Sequence, residues 1–136
     1  MQVDEFNRLV REGYDQLPEW VRKKIKNVAL LVEDEPTQET RKREHLSEDE
    51  TLLGYYQGIP LLARGDMYGV GMVMPDTITL YQIPIEKEAR DISSEKEIGF
   101  SETVRKVVAD TIWHEFAHHF GMDEHEVRAR EKKRVK

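Results

Sequence analysis

A chain of 136 residues is the size of one ordinary domain, and 38% hydrophobic against 35% charged residues implies a small core inside a heavily ionic surface. Lys plus Arg number 21 and Asp plus Glu 27, a net charge of −6 that repels a phosphate backbone and argues against nucleic acid as a partner. With no cysteine, disulfides, thiolate zinc fingers, cysteine-held iron–sulfur clusters and a cysteine nucleophile are excluded, so any metal must take nitrogen or oxygen ligands.

No window approaches the length of a membrane span, and the acidic start from Met1 to Phe6 is unlike a signal peptide, so the expectation is a cytoplasmic protein without membrane contact. Phe6, Leu9, Val10, Tyr14 and Leu17 recur at helical spacing and predict an amphipathic first helix, interrupted at Gly13 or ended before Pro18. Pro18 suits the first position of a second, short helix with Trp20, Val21 and Ile25 on its apolar side and the basic cluster Arg22 to Lys26 in solvent. Val28 to Val32 is a continuous apolar run that predicts a buried strand. From Glu33 to Glu50 the chain turns acidic, eight acids against three bases, and reads as a mobile loop or loosely attached lid in which His45 is solvated.

Between Gly54 and Ile85 only Arg64, Asp66 and Asp76 are charged, and most of the glycines fall there, a pattern of strands joined by tight turns. Thr77 to Ile83 is the clearest strand, and Pro84 behind it suggests an edge or a strand end. Met67, Met72 and Met74 read as filling for a small core rather than as metal ligands. Glu86 to Arg90 predicts a helical turn, and Ser94 to Glu97 has the form of a capping box. The main helix starts near Ser101, carries Val104, Val107, Val108 and Ile112, and continues with Trp113, Phe116, Ala117 and Phe120 round most of its circumference. Its C-terminal half should therefore be buried, Gly121 should end it, and the basic tail should fray.

Four of the five histidines fall between His114 and His125. His114-Glu115-Phe116-Ala117-His118 has the form HExxH, in which residues four apart share one helix face, so two imidazoles can hold one Zn²⁺ while Glu115 reaches an activated water as general base. Gly121 would let the chain reverse and return Glu124 as third ligand, with His125 or Asp123 as alternatives. His119 lies off the ligand face by one residue and reads as a partner-bonded or exposed side chain. Asp110, one turn before His114, reads as a surface carboxylate, with orientation of the His114 ring as the alternative.

The string HEFAHHFGMDE with VRKVVADTIW before it, together with LLGYYQGIPLLARG from Leu52 and DTITLYQIPIEKEAR from Asp76, resembles the family of small bacterial zincin-like metallopeptidases with a minimal zincin fold. The resemblance spans roughly Leu17 to Val127. It implies an α+β domain in which a small mixed sheet packs against the long HExxH helix, with zinc on His114, His118 and Glu124. Metzincins are set aside because position 124 is Glu and no methionine follows Met122.

The organisation expected is one domain over 1–127 and a basic tail over 128–136. The function expected is zinc-dependent hydrolysis of a peptide or protein substrate, with Glu115 moving the proton. An extended peptide would pair with an exposed strand edge such as Thr77 to Ile83, and Tyr55, Tyr56, Tyr68, Tyr81 and Arg64 are candidates to stabilise the oxyanion. The competing readings are a zinc-binding module in which the metal secures the fold or a protein interface, and a degenerate peptidase fold that binds without cutting, which the intact Glu115 disfavours.

Overall fold

A computed structural model describes residues 1–58 and 75–119. The elements are α1 (Val3–Asp15), α2 (Glu19–Lys24), β1 (Val28–Glu33), α3 (Gln38–Arg43), β2 (Gly54–Gln57), β3 (Asp76–Tyr81), α4 (Gln82–Lys96) and α5 (Phe100–His119). The class is α+β, and the described residues form a three-stranded mixed sheet in the order β1-β3-β2. β1 runs parallel to β3, Leu30 opposite Ile78, whereas β2 runs antiparallel to it, Tyr56 opposite Ile78. Among the described residues no helix is long and apolar enough to cross a membrane.

The core lies where α1 and α5 meet and continues onto the sheet face that carries Ile78 and Leu80. Phe6 and Leu9 of α1, Val21 and Ile25 around α2, and Val104, Val108, Ile112 and Trp113 of α5 are buried, as helical spacing predicts. Burying a side chain of this size contributes roughly 1.5–3 kcal/mol. Gly13 fixes the approach of the two long helices: a Cβ there would sit 2.8 Å from the Arg105 carbonyl oxygen. Trp20, 39% exposed, caps the core by packing edge-on against Trp113 and Phe116, with centroids 5.8 and 5.9 Å away.

Four sequence expectations need correction. β3 is the central strand, paired on both sides, so Thr77 to Ile83 is no edge for a peptide to join. The strand stops at Tyr81, and Gln82 starts α4 without a loop; Pro84 fits because the first turn of a helix has no intrahelical acceptor for its N–H groups. Ser94 belongs to the last turns of the same 15-residue helix, its hydroxyl donating back to the Asp91 carbonyl at 3.1 Å rather than capping a new helix. Tertiary burial of Pro84, Ile85 and Ala89 extends α4 well past the single turn predicted.

The acidic segment is also more ordered than its composition suggests. Thr37 caps α3 by accepting from Thr40 N–H at 3.1 Å, and Arg41 donates 2.7 Å bonds to the Ser47 and Glu50 carbonyls. His45, exposed as expected, takes φ 55° and closes α3, with its N–H on the Lys42 carbonyl and Leu46 N–H on that of Arg41. The Thr40 side chain neighbours that of Tyr81 and the Arg43 side chain that of Tyr55, so α3 lies beside the sheet. Among the described residues β1 is an edge strand, and its Leu31 is 44% exposed, less buried than its unbroken apolar run predicts.

Candidate metal centre

Helix α5 joins the core to the chemistry. Burial runs along its whole length, with Thr103, Val104, Val107, Ala109, Ile112, Trp113, Phe116 and Ala117 inside, but its last turns open on one side. His114 and Glu115 are half-buried and His118 and His119 exposed, so the C-terminal half is only partly buried. The His114 and His118 rings lie one turn apart with centroids 6.2 Å from each other and planes inclined at 35°. His114 Nδ1 lies 3.0 Å from the Asp110 carbonyl oxygen, which leaves Nε2 as its outward nitrogen. Asp110 thus orients the ring, through its backbone oxygen.

Glu115 is gripped from the sheet. The backbone N–H of Tyr56 on β2 donates to its Oε1 at 3.0 Å. That contact requires β2 to lie hard against α5, and Gly54 permits it: a Cβ at this position would stand 2.6 Å from Thr111 Cγ2 and 3.1 Å from the Thr79 carbonyl oxygen. Burial pushes the Glu115 carboxyl above the usual carboxylate range; the Tyr56 N–H and the His118 and His114 imidazoles pull it back, while Glu44 adds to the rise. A carboxylate with a raised pKa is a stronger base toward water.

Tyr56 also anchors the neighbouring groups. Its hydroxyl donates to Asp76 Oδ2 at 2.8 Å, and its ring stacks on His119 with centroids 3.8 Å apart and an interplanar angle of 15°. His119 Nε2 lies 3.9 Å from the same Asp76 oxygen. His119, expected to be partner-bonded or exposed, is exposed and stacks on Tyr56, which ties the end of α5 to the sheet. Asp76 and the Tyr56 backbone escape sequence reasoning, because main-chain donors carry no residue signature and Asp76 lies 39 residues from the motif's Glu115 in the chain.

A cavity of about 410 Å³ opens against His114 and Glu115, between α4, α5 and the segment leading into β2. Among the described residues no group of three His, Asp or Glu side chains is arranged to hold a metal ion. The donor set that is described nonetheless suits zinc: two imidazoles at i and i+4, one of them oriented by a backbone oxygen, beside a carboxylate held by a main-chain N–H. Gly121, Asp123, Glu124 and His125 lie outside the described residues, as do Arg64, Tyr68, Met67, Met72, Met74 and the basic tail.

The family profile described as zincin-like metallopeptidase matches residues 25–134, most of the chain. The chain belongs to this family. A search of curated proteins returns no match. In this zincin-like chain the matched region contains β1, the whole sheet, α4, α5 and the HExxH segment, whereas α1 lies ahead of it and supplies the other half of the helical core.

Proposed function

We propose that this member of the family is a zinc-dependent peptidase in which His114, His118 and Glu124 hold the ion and Glu115 is the general base. His125 and Asp123 are the alternatives for the third ligand position. The observation that carries the reading is the grip on Glu115: a half-buried carboxylate beside two imidazoles on one helix face, fixed by the Tyr56 N–H at 3.0 Å. When bound, the ion supplies Lewis acidity toward a peptide carbonyl and makes water acidic enough to lose a proton near neutral pH.

The chain's own groups do the remaining work. Glu115 accepts the proton of the attacking water and returns it to the departing amine, and burial raises its proton affinity for that task. The Tyr56 N–H keeps Oε1 on the sheet side, which restrains the carboxylate from swinging away between the two transfers. The Asp110 carbonyl oxygen holds Nδ1 of His114, so that Nε2 would be the nitrogen offered to the ion. The substrate is a peptide or protein segment.

The test is metal content measured beside peptide hydrolysis. Wild-type protein is expected to hold one equivalent of zinc and to cleave a denatured protein substrate, and Glu115→Ala to keep the zinc while losing roughly 10²–10⁴-fold in rate. Undiminished cleavage by Glu115→Ala would remove the mechanism. Chelation separates catalysis from a metal staple: the peptidase reading expects helical structure to persist while hydrolysis stops.

A further inference from the structure

The cavity beside the motif has a chemistry of its own. His114 and Glu115 line it together with residues of α4, of α5 and of the segment leading into β2. Its walls include the apolar side chains Leu53, Ile92 and Val107, of which Val107 is fully in the core and the other two half-buried. Two acidic residues, Glu88 from α4 and Asp110 from α5, line the same space, and no described lining residue is Lys or Arg. Neither acid belongs to a metal-binding group among the described residues.

A lining that joins apolar side chains to acidic residues suits one kind of occupant. A purely aliphatic chain would satisfy the wall but strip water from the acids, and an anionic chain would meet like charge. A long side chain with an aliphatic stem and a cationic head meets both requirements, its methylenes on Leu53, Ile92 and Val107 and its head toward Glu88. The cavity volume of about 410 Å³ falls in the range that accepts such a group, and its contact with His114 and Glu115 puts the occupant next to the bond being cut.

We propose that this cavity is a side-chain pocket that selects lysine or arginine adjacent to the scissile peptide bond. The proposal rests on the peptidase reading for the role of the pocket, but its recognition chemistry can be tested apart from turnover. Three capped pentapeptides with lysine, norleucine or glutamate at the centre of an alanine sequence are titrated calorimetrically into zinc-loaded Glu115→Ala protein, which does not consume them. The lysine peptide is expected to bind at least tenfold more tightly than its norleucine isostere, and the glutamate peptide most weakly.

Glu88 is exposed, so its substitution leaves the core intact. Glu88→Gln should reduce the lysine preference to within about threefold, and Glu88→Arg should favour the glutamate peptide. Equal binding of lysine and norleucine peptides, or binding of neither, overturns the pocket even if wild-type protein cleaves other substrates. Conversely, a lysine preference that Glu88→Gln removes upholds the recognition even if wild-type protein cleaves nothing, in which case the peptidase reading alone fails.

Discussion

The two edges of the sheet flank the same strand and have different tasks. β1 lies parallel to β3 on one side, with Leu31 44% exposed and α1 side chains such as Val10 and Tyr14 lining a groove beside it. β2 lies antiparallel on the other side, begins at a glycine with no room for a Cβ, and gives its Tyr56 N–H to the motif carboxylate. The first edge supplies apolar packing, with Val28, Leu30 and Val32 against the core, which tolerates exchange of one apolar group for another. The second is tuned for position, and a few tenths of an ångström there reach Glu115.

The sharpest way to break this contrast is Gly54→Val. Its branched side chain must displace Thr111 or the strand itself, at an expected cost of about 1–3 kcal/mol in urea unfolding together with loss of most hydrolysis. Tyr56→Phe keeps the ring on His119 and the main-chain bond to Glu115 but removes the donor to Asp76; it should cost about 1 kcal/mol by the same unfolding measurement, with metal content unchanged.

Glu115→Gln in metal-free protein sharpens the comparison through pH. Burial raises the Glu115 pKa in the folded state, so across the interval from the ordinary carboxylate value up to the raised one the folded chain holds a proton that the unfolded chain has lost. Stability from this group is therefore present at low pH and declines as pH rises through that interval. Unfolding midpoints compared over the interval should show a shallower decline in Glu115→Gln than in wild type; parallel profiles would contradict the burial argument. The smallest effect belongs to the opposite edge: Leu31→Thr should change unfolding stability by no more than about 0.5 kcal/mol and leave hydrolysis untouched.

What could be read before the structure follows from how local each signal is. The helical spacing of Phe6, Leu9 and Val10 and of Val104, Val108 and Ile112 depends on residues within two turns, and α1 and α5 stand where that spacing predicts. The class and the small mixed sheet were legible through the family resemblance, and HExxH needed only its own five positions. Strand order was not legible, because β-branched residues and a following proline suit an edge or a centre alike; Thr79 and Tyr81 are buried as well as Ile78 and Leu80, so both faces of β3 are covered, which no local pattern announces. The acidic run concealed α3 because its hydrogen bonds come from caps and from Arg41 rather than from an apolar face. The grip on Glu115 was hidden for a different reason: it uses a peptide group, which every residue but proline possesses.

The absence of any connector between β3 and α4 has a consequence for substrate choice. Tyr81 ends a strand held on both flanks and Gln82 begins the helix that brings Glu88 and Ile92 to the cavity, so that wall is welded to the least deformable part of the sheet. Give in the cavity must come from the opposite wall, at Thr51 to Leu53, which puts the tolerance for odd-shaped guests on one side and the demand for a matching guest on the other.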